Sequence, residues 1–147
     1  MKKETTKKDL TKKTEPTKVV VSLTKKVLPV VKAETFTIDA TDQAIGRVAS
    51  KVAMLLRGKN SPTFTPHLKP VNKVIVTNAS KMKISEKKAL QKTYFRHSHQ
   101  PGGDKYPTLS QVATKKGYRE VLRKAVNGML PHNRQHSIMM TNLKISE

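Results

Sequence analysis

FTIDATDQAIGRVASKVAMLLRGK, Phe36 to Lys59, is the stretch that sets the fold. FTIDA alternates apolar and polar side chains, as a short strand does. Thr41 and Asp42 are residues that favour helix N-caps, so a helix is expected to start just after them. Ile45, Val48, Ala49, Val52, Leu55 and Leu56 recur at the spacing of one helical face. Gly58 supplies a C-terminal stop. Arg47 and Lys51, four apart, fall on the opposite face, and Arg57 joins them near the helix end.

Downstream, the link SPTFTPHLKP (Ser61 to Pro70) is punctuated by prolines and carries His67 and Lys69. KVIVTN follows, with Val74, Ile75 and Val76 in a row. Such an unbroken run predicts a strand buried on both faces, as in the middle of a parallel sheet. MKIS (Met82 to Ser85) is a short strand or a lead-in. Leu109 to Ala113 reads as a brief helix capped by Ser or Thr. Tyr118 to Asn127 reads as a second, with Val121, Leu122, Ala125 and Val126 inside and Gly128 as its stop. Arg119 and Arg123 repeat the four-residue basic spacing. LKIS (Leu143 to Ser146) closes the chain as a last strand. The strand–helix–strand order predicts a layered α/β domain with a mostly parallel sheet.

Charge narrows the partner. The 147 residues hold 30 Lys+Arg against 10 Asp+Glu, a formal net charge of +20. That excess makes a compact chain repel itself and attract polyanions. Nucleic acid is the leading partner and an anionic membrane surface the second. No apolar run approaches the ~20 residues of a membrane span. VVVSL is too short for a secretory core and runs into Lys25 and Lys26. The lack of cysteine excludes thiolate metal sites, thiol catalysis and disulfides, and is compatible with the cytosol.

Two regions are expected. Residues 1–35 hold ten Lys, four acids, seven Thr and no Arg, Phe, Tyr or Gly, a composition that cannot bury enough apolar surface to offset chain entropy. They read as a flexible basic arm. Residues 36–147 keep 20 Lys+Arg against 6 Asp+Glu and form the folded domain.

Catalytic and small-molecule sites fit poorly. The five histidines do not converge at zinc-ligand spacing. Asp39 and Asp42 form the closest carboxylate pair, but a strand end and a helix start account for them. ATDQAIGR sits where phosphates bind, yet it has one glycine and neither the dinucleotide nor the Walker pattern. No enzyme activity, cofactor, metal or small-molecule substrate is expected.

Two dense stretches suit a polyanion instead. In YFRHSHQPGGDK (Tyr94 to Lys105), Arg96 can fork onto phosphate oxygens. His97 and His99 can donate hydrogen bonds or stack on bases, and Lys105 adds charge. Gly102 and Gly103 let the backbone come close. Tyr94 and Phe95 should alternate, one toward the core and one outward. In GMLPHNRQH (Gly128 to His136), His132, Asn133, Arg134 and His136 project polar groups beyond Pro131.

Taken in order, FTIDATDQAIGR, LLRGK, FTPH, VIVTNA, YFRHSHQPGG and RKAVNGMLP closely resemble the bacterial-type large-subunit ribosomal protein thirteen family, over about Phe36 to Pro131. The resemblance implies a three-layer α/β/α domain with a four-stranded, largely parallel sheet. It also implies a non-enzymatic component of the large ribosomal subunit in the cytoplasm, contacting large-subunit rRNA and neighbouring ribosomal proteins. Its basic and loop positions carry over to Arg47, Lys51, Arg57, Lys59, His67, Arg96, His97, Gly102, Gly103, Lys124 and Pro131. Lys69, His99, Lys105, Arg119, Arg123, His132 and Arg134 join them from the residue reading. After GMLP the family shows a leucine-glycine-arginine step, where this chain reads NRQHSIMM. A DNA-packaging or general nucleic-acid-binding protein is the alternative.

Overall fold

Val74 and Val76, both without solvent exposure, lie on the middle strand of a three-stranded parallel sheet. The computed structural model describes residues 33–62 and 64–147. The basic arm, up to residue 32, lies outside the described residues. The order is β1 (Thr35–Asp39), α1 (Ile45–Leu56), β2 (Lys73–Thr77), a 3-10 turn (Ala79–Lys81), α2 (Glu86–Gln91), α3 (Leu109–Met129), α4 (His136–Thr141) and β3 (Leu143–Ile145). β2 pairs with β1 on one side and with β3 on the other, parallel in both cases.

The register explains how the sheet is covered. Phe36, Val74 and Leu143 align, as do Ile38, Val76 and Ile145. Side chains alternate across a strand, so these six share a face. All six belong to the core or pack against it, with Val48, Val52 and Leu56 of α1 and Val121, Leu122 and Val126 of α3. The intervening row, Thr37, Ile75 and Lys144, points the other way. Thr37 and Lys144 are exposed and Ile75 is half-buried. Among the described residues the sheet is therefore covered on one face, and it has three strands where four were expected. Burial of β2 on both faces is met only in part. Lys83 makes a single parallel bridge to Ala44, the N-cap of α1, outside the sheet, so MKIS is a lead-in.

Local chemistry fixes the ends of α1. At its C-terminus Gly58, at φ +76°, donates its N–H to the Leu55 carbonyl at 2.9 Å. Lys59 N–H reaches the Met54 carbonyl at 3.1 Å, which completes the paired bonds of a Schellman motif. Asn72, the buried polar residue of the core, donates Nδ2–H to the same Leu55 carbonyl at 3.2 Å. The expected N-cap is corrected: Ala44 occupies that position, without a side-chain cap. Asp42 instead turns the chain at φ +54°. One oxygen of Asp39 accepts from Thr41 N–H (3.1 Å), Thr41 Oγ1–H (2.8 Å) and Asn78 Nδ2–H (3.0 Å), which ties the end of β1 to the end of β2. The Asn78 bond, then the Thr41 bonds, hold the Asp39 carboxyl below the usual range.

The two expected C-terminal helices form one element, α3, kinked at Gly117 (φ +78°). A side chain at Gly117 would collide with the Glu147 carboxylate, which accepts Arg119 N–H at 3.1 Å and so caps the second half. Thr108 and Gln111 cap the first half reciprocally. Gly128 is not the stop. The helix runs on to Met129 and ends at Leu130, because Pro131 disfavours the helical conformation in the residue before it.

Three outcomes are expected in urea titrations. Leu122→Ala should lose about 2–5 kcal/mol, because it empties a fully buried site. Gly58→Ala should lose about 1–2 kcal/mol through its left-handed backbone. Asp39, lowered in the fold, contributes stability above its unfolded value. That contribution disappears as pH falls through the lower folded value, so Asp39→Ala should flatten this acid limb of the wild-type curve.

Candidate nucleic-acid interface

The stretch around Gly102 and Gly103 folds back on itself as a hairpin. Arg96 and Lys105 exchange backbone bonds in both directions, at 3.0 and 2.9 Å, and Thr93 pairs antiparallel with Thr108. At the tip, Gly103 N–H donates to the Gln100 carbonyl at 2.9 Å. Pro101 and Gly102 (φ +70°) occupy the two middle positions, the residue pattern of a type II turn. A side chain at Gly103 would run into Ser98 and sit 2.8 Å from the Gln100 carbonyl oxygen. The two glycines thus build the tip.

The hairpin has two unlike faces, since its side chains alternate. Tyr94, half-buried, packs on the core, and the Lys124 ammonium lies 4.6 Å from its ring centre. Burial raises the Tyr94 phenol above its ordinary pKa, so it stays neutral. Phe95 is 65% exposed, which bears out the expected alternation. Arg96 and Lys105 share the Tyr94 side. With Lys115, Lys116 and Lys124 of α3 they line a groove between hairpin and helix, rimmed by Phe95 and Tyr106. No carboxylate lines it.

A second basic region forms where the proline link meets the loop after α3. Gln135 Nε2–H donates to the His67 carbonyl at 3.0 Å. Arg57 lines the cleft between these segments with Phe64, Pro131, Asn133 and Gln135. It shares the adjoining cleft with Lys69. Lys59 and His67 are exposed nearby in sequence. A third depression holds Arg123, Lys124 and His136. His132 stacks on His136 with ring centres 5.1 Å apart. Lys124 therefore belongs to two of these regions. Arg47 and Lys51 lie on the exposed side of α1, with Lys51 bonded to Gln43 at 3.3 Å. Arg119 and Arg134 are exposed.

The charges are largely uncompensated. The one contact between a basic side chain and a carboxylate among the described residues is a hydrogen bond of 2.5 Å between His97 Nδ1 and Asp104 Oδ1. No lysine or arginine there is paired with a carboxylate. Nor do three or more His, Asp or Glu side chains converge as a metal site among the described residues. No described helix is long and apolar enough to cross a membrane.

Lys115, Lys116 and Tyr106 were not among the expected site residues. Tyr106 had no local signal: pairing directly across Pro101 and Gly102 would set it opposite His97, whereas the observed Arg96–Lys105 pair sets it opposite Phe95. Lys115 and Lys116 lack one too, since how α3 packs on the hairpin decides which of its side chains line the groove.

Replacing Arg96 and Lys105 together by Ala should leave the unfolding free energy within about 0.5 kcal/mol of wild type, as exposed changes do. Affinity for structured RNA should fall at least about tenfold, from lost charged hydrogen bonds. A collapsed melting temperature with unaltered RNA affinity would make the pair structural instead.

The sequence model of the family described as Ribosomal protein L13 matches residues 33–147. The chain is 46% identical over 110 residues to the large ribosomal subunit protein uL13 of Symbiobacterium thermophilum, covering 75% of this chain and 76% of the relative. It is 47% identical over 110 residues to the uL13 proteins of Gloeothece citriformis and Chlorobium phaeobacteroides, again covering 75% of this chain and 72% and 73% of those relatives. With the family match running through every strand and helix described above, the chain belongs to the ribosomal protein L13 family.

Proposed function

We propose that the chain is a structural protein of the large ribosomal subunit that holds large-subunit rRNA through the cationic surfaces described above. It is not an enzyme. The observation that carries this reading is the absence of carboxylate partners for any lysine or arginine among the described residues of a family member. Those cations find their counter-charge in phosphates outside the chain.

The arrangement supports a clamp. The hairpin groove and the Arg57–Lys69 cleft are built from different segments of the chain, so each can take a separate RNA strand. A rigid sheet-and-helix scaffold then fixes the distance between them. Phosphate contacts of this kind position a protein on RNA and read shape more than sequence. Arg47, Lys51, Arg119, Arg123, His132 and Arg134 extend the contact. Neighbouring large-subunit proteins and a cytoplasmic location follow from the same reading. The family resemblance further implies a fourth strand and a further layer on the open face of the sheet. Membership of a ribosomal family disfavours the DNA-packaging alternative.

Fractionating a lysate of cells that express the chain on a density gradient tests this. The chain should sediment with large subunits and dissociate when the RNA is digested. Recovery at the top of the gradient, or in the DNA-containing fraction, would contradict it.

A further inference from the structure

Phe95 and Tyr106 face each other across the hairpin with ring centres 5.3 Å apart. Even so paired, they stay 65% and 61% exposed. Further along the same face, His97 and His99 meet edge to face at 5.2 Å. His99 reaches this position from a left-handed backbone at φ +59°. Four rings thus line the outer side of one small hairpin. Phe95 and Tyr106 also rim the groove that holds Arg96 and Lys105, whereas His97 and His99 do not line it.

We propose that this ring row is a stacking platform for unpaired bases of the bound RNA. The inference rests on the reading of the chain as an rRNA-binding protein and deepens it. Three observations select bases over an apolar protein surface. On the hairpin itself this face carries Thr93, Phe95, His97, His99, Asp104, Tyr106 and Thr108, none of them aliphatic; the aliphatic side chains that Phe95 meets, Ile45, Leu109, Val121 and Met129, lie in the hollow beside α3. Its only carboxylate, Asp104, is already bound by His97. The residues flanking the Phe95–Tyr106 pair on both strands, Arg96 and Lys105, are cations without carboxylate partners that can hold the backbone joining stacked bases. A cross-strand aromatic pair would by itself steady the hairpin. That role does not account for the histidine rings that continue the row. The hairpin is then a two-sided wedge, with phosphates in the groove and bases on the outer face.

The test uses the full chain with two probes: a short oligoadenylate carrying a fluorescent purine analogue, and an RNA duplex of equal length. In wild type, binding should quench the analogue in the single strand. The double variant Phe95→Leu, Tyr106→Leu keeps apolar bulk and removes the ring faces. It should bind the single strand about tenfold or more weakly, as expected for loss of base stacking. Its salt dependence should match wild type, because no phosphate contact is removed. Duplex binding should fall far less than single-strand binding, because the groove cations stay in place. Equal affinity of wild type and variant for the single strand would overturn the platform and leave the phosphate reading intact. Failure of wild type to bind either RNA would remove the phosphate reading itself. Should the double variant lose its fold by circular dichroism, Phe95→Trp decides. Its emission should be quenched by the single strand, and unquenched emission on binding would overturn the proposal.

Discussion

The folded part of this protein is held under a standing electrostatic load. From Phe36 onward, twenty lysines and arginines share the chain with six carboxylates. Of the carboxylates, Asp39 is spent on Thr41 and Asn78, Asp104 on His97, and Glu147 on the backbone of Arg119. The cations are left to solvent and to whatever polyanion comes near. Like charges at these separations repel through water and more strongly through protein. The isolated chain therefore folds against its own charge, and a bound phosphate backbone relieves that repulsion.

What resists the load is a small aliphatic core. Val74 and Val76 of the middle strand, Val48, Val52 and Leu56 of α1, and Val121, Leu122 and Val126 of α3 are without exposure. Each added methylene in such a core matters, because there is no large aromatic cluster behind it. The polar devices at the periphery orient segments that bear charge. The Schellman turn at Gly58, locked by Asn72, delivers Arg57 and Lys59 at the start of the proline link. Glu147 fills the kink at Gly117; Lys115 and Lys116 before it and Lys124 after it line the hairpin groove, with Lys124 over the ring of Tyr94.

The main elements of this fold were legible as periodicity. Helix α1 announced itself by a run of apolar residues at helical spacing, the middle strand by three β-branched residues in succession, and the last strand by LKIS. The alternation of Tyr94 and Phe95 was readable too. Other features were not. Helices α2 and α4 are six residues each, too short for a helical period to stand out. The side-chain cap expected from Thr41 and Asp42 failed because Asp39 competes for Thr41 and the turn needs Asp42 in a left-handed conformation. Gly102 and Gly103 were read as places for phosphate to approach, whereas their first duty is to close the hairpin. The expected cationic positions on exposed helix faces and on the hairpin are where single residues predict them. How they group depends on cross-strand register and on how α3 packs on the hairpin, neither of which a local window contains.

Cations that meet phosphates release counterions, so salt dependence measures the interaction most directly. The binding constant of the full chain for a fragment of large-subunit rRNA should fall linearly on a log–log plot against salt. Each phosphate contact should contribute a slope of about −0.7 to −0.9, with several contacts in total. A nearly flat response, with affinity retained at high salt, would mean that the exposed lysines and arginines do not hold the RNA.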